Sequence, residues 1–135
     1  MAPLARSGRG DAAWIAAGAP SVWRSPSGLR YAASMIVRMW HGRVTSGKAA
    51  AYRRFLNQRA VTDYRSAPGN ISVHVLERRD GDVTHFVTMT FWDSMEAIRG
   101  FAGDDIAIAK YYPEDEDFLL EFEPTVTHYE VVGHS

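Results

Sequence analysis

Apolar positions after residue 34 recur first at every second residue, then near every 3.6, then at every second again, and this switching outlines the elements. Residues 35–44 (MIVRMWHGRV) are β-branched and aromatic and stop at Thr45-Ser46-Gly47, which predicts a strand. From Ser46 onward Tyr52, Phe55, Leu56 and Ala60 share one helical stripe, while Arg53, Arg54, Asn57 and Gln58 lie opposite. Ala67-Pro68-Gly69-Asn70 ends that helix. Residues 71–79 and 83–92 are rich in Val, Thr, His and aromatics and flank Asp80-Gly81-Asp82, a hairpin signal because Asp-Gly accepts the positive φ of tight turns. Asp93-Ser-Met-Glu96 reads as a capping box with Asp93 as the cap. The helix it opens is apolar at Met95, Ile98, Phe101 and Ala102 and limited by Gly100 and Gly103. Residues 106–112 read as a second short helical segment, Glu114 to Asp117 as a solvated acidic loop, and residues 124–132 (PTVTHYEVV) as the last strand.

The order βαββαβ is the split βαβ, ferredoxin-like plan of the α+β class, with an antiparallel sheet. Helices cover one face of such a sheet. The other face also carries large apolar groups, since Ile36 and Trp40 alternate with Val37 and Met39, and Phe86 and Trp92 with Val87 and Phe91. Strands apolar on both sides require burial on both. Pairing of two sheets in a homodimer is the simplest way to supply it.

Composition narrows the function classes. The 135 residues hold 15 Lys+Arg against 16 Asp+Glu and no cysteine. A net charge of −1 argues against nucleic-acid binding, and the absence of Cys removes disulfides, Cys-held metal and thiol nucleophiles. No apolar run of about 18 residues is present, so no membrane partner is expected and a cytoplasmic location is. The charge is uneven. Residues 1–34 carry four Arg against one Asp, +3, and the remainder 11 basic against 15 acidic residues, −4. That leader is rich in Ala, Gly, Ser, Pro and Arg without apolar period, and it predicts a disordered extension before a globular domain at 35–133. Competing readings are a signal peptide with Arg6 and Arg9 as its basic end and Ala12 to Ala17 as its apolar part, an over-extended gene start before Met35, or docking through Trp14 and Trp23.

With the element order in hand, three stretches acquire meaning: Phe91-Trp92-Asp-Ser-Met-Glu-Ala97-Ile98-Arg-Gly-Phe101, Ala109-Lys-Tyr111-Tyr-Pro-Glu-Asp115, and Val126-Thr-His128-Tyr129-Glu-Val. Together they resemble the antibiotic biosynthesis monooxygenase (ABM) superfamily, and the likeness covers residues 35–132. The resemblance implies a dimeric α+β barrel with a ligand cavity between helices and sheet in each subunit. It also implies a choice of activities: cofactor-independent oxygenation of small aromatic or polyketide-like substrates, haem degradation, or ligand binding without catalysis in a stress-associated dimer. The haem-degrading branch places an Asn, a Trp and a His where this chain resembles it with Trp40, Phe101 and Tyr111, so that machinery is unmatched.

Oxygenation without a cofactor or metal needs an apolar cavity, a base and an oxyanion partner. The candidate catalytic residues are His85 and His128 as bases and Tyr111 as a phenol donor, and the candidate substrate walls are Trp40, Trp92, Phe101 and Tyr112. Each has a plain alternative as a core aromatic or a hydrogen-bonded strand histidine. A turn centred near Gly81 opposes His85 to Leu76 or Glu77, and the second register would give a carboxylate-supported imidazole. His74 is then two or three residues away, roughly 7 to 10 Å at strand rise, too far to share an ion with His85. Arg53-Arg54 and Arg78-Arg79 read as solvent-facing pairs, able to meet the acidic loop across a dimer.

Overall fold

The computed structural model describes residues 35–135; the expectations for residues 1–34 lie outside the described residues. Four strands form one antiparallel sheet: β1 (Ile36–Thr45), β2 (Asn70–Asp80), β3 (Val83–Trp92) and β4 (Thr127–Glu130), in the order β2-β3-β1-β4. This is the ferredoxin-like arrangement that the element order predicts. Strand alternation sends Ile36, Trp40 and Val44 of β1 and Thr84, Phe86, Thr88, Thr90 and Trp92 of β3 to the helix side, where all are buried. The other face, with Met39, His41, Val83, His85, Val87, Met89 and Phe91, stays half-exposed.

The connection from β1 to β2 opens with a 3-10 turn (Ser46–Lys48) and continues as one helical run, α1 (Ala49–Phe55), a π turn (Leu56–Ala60) and α2 (Val61–Ser66). The Val61 amide donates to the Leu56 carbonyl, an i→i+5 bond. Tyr52, Leu56, Ala60 and Tyr64, spaced by four, would drift about 40° per step around an ideal helix at 100° per residue. The wider π turn offsets that drift, and all four are buried.

The second helix, α3 (Met95–Ala102), is capped one residue later than Asp93. Ser94 accepts from the Ala97 amide at 3.1 Å, Asp93 is tied by its own amide to the Gly69 carbonyl, and Glu96 turns to Arg99 instead of reaching back. The expected helix at 106–112 does not form. Residues 107–109 run extended against 124–126, with Ala109 N–H on Pro124 O and Val126 N–H on Ala107 O. The physical reason is the buried Arg38 guanidinium, which donates to the carbonyls of Ile106 (2.6 Å) and Ile108 (3.3 Å), groups a helix would need for itself. β4 is correspondingly shorter than the expected strand at 124–132.

The hairpin turns at Gly81-Asp82, with Gly81 at φ 64 and Asp80 opposite Val83. This register sets Arg78 opposite His85 and Glu77 opposite Phe86. Glu77 therefore shares the helix face and pairs bidentately with Arg53 at 2.7 and 2.8 Å. A Glu77-supported His85 is thus ruled out, and Arg53 is held by its own chain's β2.

Candidate active site between helix and sheet

A cleft of ≈ 20 Å³, room for about one water, lies between the sheet and the α1–α2 helix. Trp40 and Thr88 form its floor; Tyr52, Leu56, Ala60 and Tyr64 form its roof. Its third side is the loop after α3, through Lys110, Tyr112 and Asp115. The π turn contributes both ends of its five-residue span, Leu56 and Ala60, to the roof. Buried and exposed contacts both tie the loop after α3 to the helical connection: the Tyr52 hydroxyl to Asp115 and the Tyr112 hydroxyl to Asp63 inside, Lys110 to Asp63 (3.5 Å) at the rim, and Lys48 to the Asp117 carbonyl (2.6 Å) and Arg59 to Glu114 (3.0 Å) outside. Exposed pairs of this kind contribute about 0–1 kcal/mol each.

Polar atoms converge on the cleft. Asp115, only 2% exposed, accepts the Tyr52 hydroxyl at 2.8 Å on Oδ1 and the Tyr112 amide at 2.7 Å on Oδ2. Burial raises its carboxyl above the usual range, against the pull of those two donors. This corrects the reading of 114–117 as wholly solvated, because Pro113–Asp117 forms a 3-10 turn that folds Asp115 inward. The Tyr52, Tyr64 and Tyr112 phenols are all raised, chiefly by burial, so each stands as a donor: Tyr52 to Asp115, Tyr112 to Asp63, with Tyr64 sharing a hydrogen bond with Thr88. Lys110 Nζ sits 3.9 Å from the Phe101 ring centroid. The Trp40 indole N–H is buried without a well-formed hydrogen bond; the Tyr111 hydroxyl next to it donates to the Glu123 carbonyl.

Of the residues singled out from sequence, Trp40 and Tyr112 line this cleft. Phe101 stacks on Tyr64 at 4.7 Å, one shell out, and Trp92 is fully buried in the core with its Nε1 on Thr90. Tyr111 is buried edge-on to Trp40, its pKa pushed up to about 12 mainly by burial. His128 lies on the helix face opposite Arg38, whose Nη1 is 3.1 Å from His128 Nε2. Arg38 can only donate, so this imidazole is neutral with its proton on Nδ1. Burial and the guanidinium depress its pKa to about 3. His85 lies across the sheet from the cleft. There Glu123 meets His41 Nδ1 at 2.6 Å, and His41 Nε2 meets His85 Nδ1 at 2.9 Å. Burial, then Arg78 and His41, lower the His85 pKa.

Haem does not fit these residues. Tyr111, at the position nearest to a haem ligand, is buried, committed to a backbone carbonyl and hard to ionise. Among the described residues no cluster of three or more His, Asp and Glu could hold a metal ion, and no helix is long and apolar enough to cross a membrane.

Tyr52, Tyr64, Thr88, Lys110 and Asp115 were not among the expected site residues. Tyr52 was legible as part of the buried stripe, and Tyr64 continues it at the same spacing of four. Nothing local marks Lys110 or Asp115.

Comparison with known structures agrees with the fold. A putative antibiotic biosynthesis monooxygenase from Bacillus cereus is 18% identical, covering 76% of this chain and 97% of its own, with TM-score 0.52. One from Nitrosomonas europaea is 17% identical, covering 77% and 96%, with TM-score 0.53. A haem degrader from Mycobacterium tuberculosis, solved with two haems in its active site, is 21% identical, covering 74% and 98%, with TM-score 0.51. No curated protein matches the chain. Residues 35–106 match the family model described as Antibiotic biosynthesis monooxygenase, a span that runs from β1 through α3 and stops before Lys110, Tyr112 and Asp115. The chain belongs to the antibiotic biosynthesis monooxygenase family.

Proposed function

We propose that the protein is a cofactor-independent monooxygenase for a small aromatic or polyketide-like substrate, bound in the cleft between the helix and the sheet. The observation carrying this reading is the convergence of aromatic walls with a buried carboxylate and an ammonium group: Trp40, Tyr52, Tyr64 and Tyr112 around Asp115 and Lys110. Planar walls suit a planar substrate, and the charged pair suits removal of a proton and stabilisation of the anion left behind. For an anthrone-type substrate the net reaction is CH2 + O2 → C=O + H2O. The substrate carbanion passes an electron to oxygen, the radicals combine as a peroxide, and loss of water gives the quinone. The substrate supplies the electrons, so the protein need only bind, deprotonate and hold charge.

The homodimer belongs to the same proposal. The half-exposed face that carries Val87, Met89, Phe91 and Leu76 suits a second copy packed sheet to sheet.

A second reading rests on one observation. The histidines expected as bases lie away from the cleft, His85 across the sheet and His128 on Arg38, which favours a protein that binds a ligand without turning it over. Oxygen uptake with a panel of anthrones and naphthols separates the two. Uptake that saturates with substrate and falls in Trp40→Ala supports the oxygenase. Quenching of Trp40 fluorescence by these compounds with no uptake by any of them overturns it in favour of binding alone.

A further inference from the structure

We propose that Asp115 is the general base of the cleft, taking a proton from an activated carbon of a neutral, enolisable aromatic ketone, with Lys110 placed to hold the enolate charge. This rests on the cleft being the substrate site.

Among the lining residues one side chain differs from the rest in its hydrogen-bonding character. Trp40, Tyr52, Tyr64, Thr88 and Tyr112 present N–H or O–H groups, and Lys110 is a donor only. Asp115 is the one lining residue among the described ones that ordinarily offers a proton acceptor without a proton of its own. The histidines reach other places: His85 lies on the far face of the sheet, and His128 gives its acceptor nitrogen to Arg38.

Its surroundings fit the role. Each carboxylate oxygen receives one hydrogen bond, from the Tyr52 hydroxyl and the Tyr112 amide. A carboxylate has about four acceptor sites, so about two are left. Asp115 is 2% exposed and lines the cleft, so those sites are withheld from bulk solvent and the cleft is the space beside them. The two bonds fix the carboxylate's direction, and the second comes from the backbone, which does not rotate away. Burial strengthens it as a base.

In the step, the substrate C–H bond breaks and its electron pair becomes the enolate. The proton forms an O–H bond on Asp115, and nothing is oxidised or reduced. A neutral ketone is favoured over a carboxylic acid because a second carboxylate beside Asp115 would be repelled in a site of low dielectric. The negative charge created on the enolate oxygen is the one Lys110 can meet. Lys110 is held over Phe101 and near Asp63, with its side chain 18% exposed.

The test reads proton transfer without oxygen. Anthrone is incubated anaerobically in D2O buffer with the full chain, and loss of its methylene signal is followed by NMR against pH. The wild type should exchange the methylene faster than buffer by about 10²-fold or more, the range of general-base catalysis. Asp115→Asn should return to the buffer rate, and Asp115→Glu should recover part of the difference. Tyr52→Phe keeps the carboxylate but removes a donor that holds its pKa down, so its pH midpoint should move up. Exchange at the buffer rate in the wild type overturns the proposal, as does unchanged exchange in folded Asp115→Asn. If Asp115→Asn does not fold, an unshifted midpoint in Tyr52→Phe overturns it. Exchange with no oxygen uptake would leave Asp115 as the base and remove the oxygenase reading; uptake that survives in Asp115→Asn would do the reverse.

Discussion

His128 makes the stability of this fold sensitive to mild acid. In the native state its Nε2 accepts from Arg38, and its pKa is depressed to about 3 from an ordinary 6.5. Below pH 6.5 the unfolded chain takes up a proton that the native chain refuses, so stability falls as pH falls and stops falling only below about 3. Between pH 7 and pH 5 the loss from this one group is about 2 kcal/mol, at about 1.4 kcal/mol per decade of proton activity. The figure depends on the unfolded value, because any native pKa under about 4 leaves His128 neutral at pH 5. His128→Gln supplies a neutral amide oxygen for Arg38 and does not titrate. Urea unfolding followed by tryptophan fluorescence at pH 5, 6 and 7, at fixed protein concentration, should show the wild type losing about 2 kcal/mol more than the variant. In a domain of about 100 residues that is roughly 10 °C in Tm. Parallel pH dependences in the two proteins would refute the reasoning, since every other titrating group is common to both.

Two further outcomes follow from packing. A Cβ at Gly42 would lie 2.5 Å from Cη2 of Trp40 and 2.9 Å from Leu119, so Gly42→Ala should destabilise by about 1–3 kcal/mol and shift the tryptophan emission, with urea unfolding and fluorescence as the readouts. Wild-type emission and stability would mean that Trp40 does not lie over Gly42. On the far face, Val87→Asp combined with Phe91→Asp should convert the proposed dimer to monomer in sedimentation velocity while leaving far-UV circular dichroism unchanged; a variant sedimenting with the wild type would remove that face as the interface.

Strand alternation carried most of what was legible in the sequence. Once residues 83–92 read as a strand, Phe86, Thr88 and Trp92 had to share one face and His85, Val87 and Phe91 the other, and the sheet obeys this. Register was harder, because it depends on where the hairpin turns. Placing the two turn residues at Gly81-Asp82 opposes Arg78 to His85, and a displacement of one residue exchanges the faces of every side chain on β2. That single step separates a supported imidazole from a salt bridge between Glu77 and Arg53. The spacing of four in Tyr52, Leu56, Ala60 and Tyr64 was present in the sequence as well. Only with the π turn does it become a continuous stripe over the cleft.

The loop after α3 was illegible for a different reason: its conformation is set by groups distant in sequence. Ile106 and Ala109 have the spacing of a helix, yet Arg38, 68 residues away from Ile106, takes the carbonyls and leaves the segment extended. Glu114, Asp115, Glu116 and Asp117 are chemically near-equivalent in the sequence, and only Asp115 is buried. What selects it is the Tyr52 hydroxyl on α1, 63 residues earlier, together with the Tyr112 amide at the start of the 3-10 turn. Composition therefore describes this stretch as solvated and is right for its exposed members. It is wrong for the member that a phenol from another element draws inward. The group best placed to act as a base is thus hidden among its neighbours in sequence and set apart from them by the fold, whereas the histidines, conspicuous in sequence, are engaged with Arg38 or face the far side of the sheet.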